Sequence, residues 1–264
     1  MQLVKRYSYR QGGLAGEVFL DPDRVPETVA LFCFGFPGNM GANATVQFLV
    51  SLGHAVVVHQ YSGTYDSDGV FAPDSAISSV VELAQHVATG NFNEVKKGKR
   101  IPLGEHPTVK ILAGHSFGCF LGGRAATRIR SVETVLLLAP ILGYGHSPVN
   151  YGVLEDGIAQ LEYVQRARPH TYRFGDLDAW RLLFRGERNI WDNAGTPSKR
   201  LLAVVGQNDP DFDSHIIVSE FPAIARSVFG SASIPSIQSV SEAGHGDSEL
   251  LTDEVREWIR TKLP

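Results

Sequence analysis

Cysteine is scarce in this 264-residue chain: only Cys33 and Cys119 occur, so no disulfide framework is expected to hold it together. Both lie in apolar segments, where a reduced thiol packs as a small hydrophobic side chain. An excess of one charge is also missing. Lysine and arginine number 24 against 28 acids, a net charge of -4, and this leaves no electrostatic case for nucleic acid as a partner. The basic run Lys96-Lys97-Gly98-Lys99-Arg100 sits beside Glu94 and Glu105 and reads as a solvated loop. No apolar run approaches membrane length, so no membrane partner is expected. Met1 to Tyr7 lacks the apolar stretch of a signal peptide, which makes the cytoplasm the expected compartment. Internal repeats and low-complexity segments are absent. No His/Cys/Asp cluster has ligand spacing, so no metal is expected, and no cofactor either. Nothing in the sequence fixes an oligomeric state.

What is present is an alternation of strand-like and helix-like segments, as a doubly wound, mostly parallel α/β sheet requires. Strands are expected at Val4 to Tyr9, Leu14 to Leu20, Val29 to Phe34, Ala55 to His59, Val109 to Ala113, Thr134 to Leu138, Leu201 to Val205 and Ser236 to Val240. Helices are expected from about Asn43 to Leu52, Asp74 to Ala88 and Ser248 to Leu263. In the last, Leu250, Leu251, Val255, Trp258 and Ile259 mark one apolar face. Hydrophobic residues at 43% and charged residues at 20% suit one globular unit with a large core. The alternation breaks only between Pro140 and Leu201. The reading is therefore a core of residues 1–140 and 201–264, with a helical insertion over 141–200 whose helices lie near Glu155 to Arg168 and Asp176 to Arg185. Pro169 should stop the first of these.

The strand at Val109 to Ala113 runs into Gly114-His115-Ser116-Phe117-Gly118 and then into the small-residue segment Cys119 to Ala126. A G-x-S-x-G between a buried strand and a helix is the context in which a serine hydroxyl is exposed on a tight turn, with glycines where side chains would collide. The helix start would leave the Phe117 N–H free to stabilise an oxyanion.

A serine hydroxyl is a poor nucleophile until an imidazole takes its proton, and a carboxylate must fix the imidazole tautomer. Both groups follow Ser116 in order, each after a strand. Leu201 to Val205 ends in Gly206-Gln207-Asn208-Asp209, and Ile237 to Val240 leads through Ser241-Glu242-Ala243-Gly244 to His245. The assignment is Ser116 as nucleophile, His245 as base and then acid, and Asp209 as the orienting acid, with Asp211 and Asp213 as rivals. Upstream, Ala30 to Phe34 ends in Gly35-Phe36-Pro37-Gly38, a turn that would set the Phe36 N–H beside that of Phe117.

With these motifs the chain resembles the α/β-hydrolase-fold serine hydrolases over nearly its whole length. Gly35-Phe36-Pro37-Gly38 is similar to the family's oxyanion turn, although Phe34 stands where a histidine commonly opens it. Gly63, Ser67 and Gly69 resemble a Gly-x-x-x-Ser-x-Gly loop of the esterase, thioesterase and aminopeptidase-like branch. The resemblance implies that the insertion caps the active site. Its aromatics, Tyr144, Tyr151, Tyr163, Tyr172, Phe174, Trp180, Phe184 and Trp191, suit an apolar pocket, and Trp180 and Trp191 are the candidate substrate contacts.

The expected partner is a small molecule with an apolar or aromatic group, and the expected activity is cofactor-independent cleavage of an ester, thioester or amide through an acyl-enzyme. A lyase or acyltransferase would use the same residues, and a binding protein that had lost turnover would share the fold. Dehalogenases and epoxide hydrolases resemble the fold but rely on an aspartate where Ser116 stands.

Overall fold

The computed structural model of the chain describes residues 4–38, 41, 43–141, 151–184, 199–211, 213–230 and 232–263. Eight strands form one sheet: β1 (Lys5–Gln11), β2 (Leu14–Leu20), β3 (Val29–Cys33), β4 (Ala55–His59), β5 (Val109–His115), β6 (Thr134–Leu138), β7 (Arg200–Gly206) and β8 (Ile234–Val240). Their order across the sheet is β1-β2-β4-β3-β5-β6-β7-β8. β2 is antiparallel to both β1 and β4, and every other pairing is parallel.

The short apolar runs of β3, β4 and β6 are buried at every position. Alternate side chains of a strand point to opposite faces, so both faces of the sheet are covered, as parallel sheets require. The cover comes from α1 (Ala44–Ser51), α2 (Pro73–Ala88), α3 (Phe117–Arg128), α6 (Ser214–Phe229), α7 (Asp247–Leu250) and α8 (Asp253–Lys262), while α4 (Tyr151–Ala167) and α5 (Leu177–Phe184) belong to the insertion. α3 packs on β5 and β3 with α2 alongside, and α5 reaches α2.

Local chemistry sets the boundaries. The Asn43 side chain accepts from the Val46 N–H at 2.9 Å and starts α1, and Pro73 opens α2 where a missing N–H costs nothing. The helix expected over 248–263 is in fact two. Thr252 accepts from the Val255 N–H at 3.3 Å and begins α8 anew, and an apolar stripe spanning both helices hides that break in the sequence. α6 has no counterpart in the sequence expectations. Its start is fixed by Asp213, whose carboxylate accepts from the His215 and Ile216 N–H groups at 2.9 and 3.4 Å.

Both cysteines are buried and free, and burial pushes the Cys33 thiol up to about 12. Among the described residues no helix is long and apolar enough to cross a membrane.

Candidate active site

The chain passes from β3 out to β4 and then back across to β5. Where a parallel sheet reverses in this way, the carboxyl ends of the strands open a crevice. β3 and β5 are neighbours with Cys33 beside Gly114, so the turn after β3 and the turn after β5 emerge side by side. β7 and β8 are likewise neighbours, with Gly206 beside Val240.

β5 hands over to α3 at Ser116, which has φ 53° and ψ -124°. A non-glycine residue seldom holds such a backbone, and doing so costs about 1–3 kcal/mol. The turn is tight enough that a Cβ on Gly114 would sit 2.7 Å from the Gly118 carbonyl oxygen, and one on Gly118 would strike the Cys33 carbonyl. The Ser116 N–H donates to the Leu138 carbonyl at 2.9 Å, which ties the turn to the end of β6.

The turn 35–38 runs directly against this serine, since a Cβ on Gly35 would lie 3.2 Å from the Ser116 Cβ. Among the described residues, neither the Phe36 N–H nor the Phe117 N–H donates a hydrogen bond. The Phe36 ring lies 5.7 Å from that of Phe117 and 5.0 Å from that of Tyr172.

The loops after β7 and β8 are held together. The Gln207 N–H donates to the Val240 carbonyl and the Asn208 N–H to the Ala243 carbonyl, both at 2.9 Å. This brings Asp209 Oδ2 to 2.8 Å from His245 Nδ1, with the Asp209 side chain only 3% exposed. Asp211 Oδ2 lies farther off at 3.7 Å and its side chain is 59% exposed, while Asp213 is engaged at the start of α6. Burial alone would lower the His245 imidazole. The hydrogen bond and charge of Asp209, with Asp211 and Glu249 behind it, hold it above its ordinary 6.5.

Ser116 and His245 both line a cavity of about 250 Å³ together with Phe32, Phe34, Phe36, Pro37 and Asn43. His115 lines it too, and sequence reasoning passed over this residue because the variable position of G-x-S-x-G carries no constraint. Its Nε2 lies 2.7 Å from the His245 main-chain carbonyl. Burial holds His115 below its ordinary range, which favours the neutral ring donating from Nε2.

Among the described residues, Asp209, Asp211 and His245 are the group with donor atoms close enough for a cation, all within 4.8 Å of one another. The 2.8 Å contact commits His245 Nδ1 to Asp209 rather than to a metal.

Among the described residues, the insertion meets the turn 35–38 at Tyr172 and Phe174. The Gly38 N–H donates to Tyr172 Oη at 3.2 Å, and the Tyr65 hydroxyl donates to the Gly38 carbonyl. Burial, with the neighbouring Tyr65 hydroxyl, holds Tyr172 well above the usual phenol range, so it stays protonated. Trp180 is fully buried in the seam between insertion and core. Its Nε1–H donates to the Phe71 carbonyl at 3.2 Å, its ring lies 4.8 Å from Phe71 and 5.5 Å from Phe117, and it does not line the cavity above. Trp191, the other candidate substrate contact, lies outside the described residues.

No protein-family model and no curated protein sequence matches the chain. Solved structures do. An esterase from Pyrococcus furiosus superposes with a TM-score of 0.59 at 14% identity, covering 98% of this chain and 88% of its own. Est1E from Butyrivibrio proteoclasticus, solved with ferulic acid bound, gives 0.60 at 15% identity over 96% of this chain and 98% of its own. An epoxide hydrolase from Vigna radiata gives 0.61 at 14% identity over 98% and 97%. At these identities the likeness is one of fold: the chain has the α/β-hydrolase fold.

Proposed function

We propose that the chain is a cofactor-independent serine hydrolase acting on an ester, thioester or amide. The observation that carries this reading is that a strained Ser116 and His245, whose Nδ1 lies 2.8 Å from Asp209, line one cavity at the strand ends.

In this mechanism the Ser116 hydroxyl attacks the carbonyl carbon while His245 Nε2 takes its proton. The Asp209 carboxylate, on the Nδ1 side, fixes the tautomer and stabilises the imidazolium that forms. The carbonyl oxygen becomes an alkoxide held by the Phe36 and Phe117 N–H groups, donors that have no other partner to give up. Collapse expels the leaving group, which takes the proton from His245. Water deprotonated by the same imidazole then attacks the acyl-enzyme and frees Ser116. Phe32, Phe34 and Phe36 in the cavity wall favour an apolar or aromatic group on the substrate.

The test is labelling with a fluorophosphonate probe beside turnover of a panel of p-nitrophenyl esters, acyl-thioesters and aminoacyl amides. The wild type should label and turn over at least one class, and Ser116→Ala should do neither. Labelling that survives Ser116→Ala would remove the nucleophile assignment.

A further inference from the structure

We propose that Tyr172 and Tyr65 are positioning residues that hold the turn carrying the Phe36 N–H against Ser116, so that seating the insertion on the core completes the oxyanion site. This rests on the hydrolase reading above.

The turn 35–38 is gripped by phenols at both ends. At its start the Tyr61 hydroxyl donates to the Phe34 carbonyl at 2.7 Å. At its end Gly38 is held by two phenols, its N–H donating to Tyr172 at 3.2 Å and its carbonyl accepting from Tyr65 and, at 3.5 Å, from Tyr172. Phe34 has no polar side-chain atom with which to brace the turn, so these hydroxyls are its polar restraints among the described residues.

Tyr172 is itself strapped in place. The Tyr65 N–H donates to the Thr171 carbonyl and the Arg173 N–H to the Gly63 carbonyl, both at 2.7 Å, and the Phe71 N–H donates to the Arg173 carbonyl at 2.8 Å. The Arg173 guanidinium adds bonds to the Tyr65 carbonyl at 2.9 Å and to the Ser67 carbonyl. The insertion segment 171–174 is thus paired with the loop 63–71, and the same loop supplies Tyr65. A donor stabilises a developing alkoxide best when it need not reorganise as the charge forms. The Gly38 clamp fixes the peptide chain two residues beyond the Phe36 donor. A change in how the insertion sits would therefore reach the chemistry without touching Ser116, His245 or Asp209.

Tyr172→Phe and Tyr65→Phe remove the hydroxyls and keep the rings that pack on Phe36 and Phe34. With a p-nitrophenyl ester that the wild type hydrolyses, each should lower kcat on the order of 10-fold, with KM within about twofold. Affinity for an arylboronic acid, which places a tetrahedral oxygen where the alkoxide forms, should fall by the same factor. Melting temperature should stay close to wild type, whereas a merely structural role would move it and leave the boronate affinity alone. If Tyr172→Phe fails to fold, Tyr65→Phe carries the test, because its hydroxyl grips the same glycine. Wild-type kcat and boronate affinity in the variants, with Ser116 still labelled by a fluorophosphonate, would overturn this inference alone. A wild-type protein that does not label would overturn the hydrolase reading and this one with it.

Discussion

The Nε2 of His115 lies 2.7 Å from the main-chain carbonyl of His245, a contact across 130 positions that ties the residue before the proposed nucleophile to the proposed base. His115→Phe keeps a ring of similar size and removes the donor to that carbonyl. A hydrogen bond of this kind contributes about 1 kcal/mol, so kcat/KM should fall roughly fivefold. His115→Gln, which carries an amide donor, should recover part of the loss. Equal rates in wild type and His115→Phe would show that the contact does not position the base.

The two carboxylates near His245 should separate cleanly. Asp209→Asn should lower kcat by roughly three to four orders of magnitude by releasing the imidazole into the wrong tautomer. Asp211→Asn, exposed and at 3.7 Å, should change kcat less than about threefold, since exposed charge pairs contribute little. The order of these two effects, measured by steady-state kinetics, decides the acid.

The pH dependence follows from the same pair. On the proposed mechanism His245 must be neutral to accept the serine proton, and its surroundings hold it above 6.5. Activity is therefore lost as pH falls through that raised value, and the rise in kcat/KM should be centred above 6.5. Asp211→Asn removes one of the charges that raise it, so the limb should move toward lower pH. A limb centred below 6.5 in the wild type would contradict the arrangement.

Ser116→Ala keeps the strained backbone, whereas Ser116→Gly relieves it. Relief of about 1–3 kcal/mol, less the roughly 0.5–1 kcal/mol by which glycine favours the unfolded chain, leaves a net gain. Both variants should be inactive, and Ser116→Gly should melt above Ser116→Ala. Thermal unfolding of the two, side by side, checks the sign.

Trp180 bears on the seam between insertion and core. Trp180→Ala should destabilise by about 3–5 kcal/mol as a buried ring is lost. At about 2–4 °C per kcal/mol, melting should drop by roughly 10 °C. Because Trp180 sits behind Phe71 and Phe117, rates on different substrates should fall together. A change in the ranking of substrates without loss of melting temperature would make Trp180 a specificity residue instead.

The strands were legible because buried parallel strands are short apolar runs closed by turns, and Ala55–His59 and Thr134–Leu138 match at both ends. The order Ser116, Asp209, His245 was legible because each follows such a run. Asp209 was preferred over Asp211 and Asp213 by its loop position alone, because what separates them in space, how the loop after β7 folds back on that after β8, leaves no sign in the sequence. α6 escaped notice because Pro222 interrupts its pattern and the aspartate that caps it had another candidate role. The hold of Tyr172 on Gly38 spans 134 positions and leaves no local trace.

β8 is one of the two edge strands and is synthesised after the other seven, and His245 follows it. A growing chain thus carries the proposed nucleophile, Ser116, long before the proposed base. On the proposed mechanism such a nascent protein is chemically silent, unable to acylate itself on passing metabolites while half made. On that mechanism, activity during refolding should return no sooner than β8 is laid along β7.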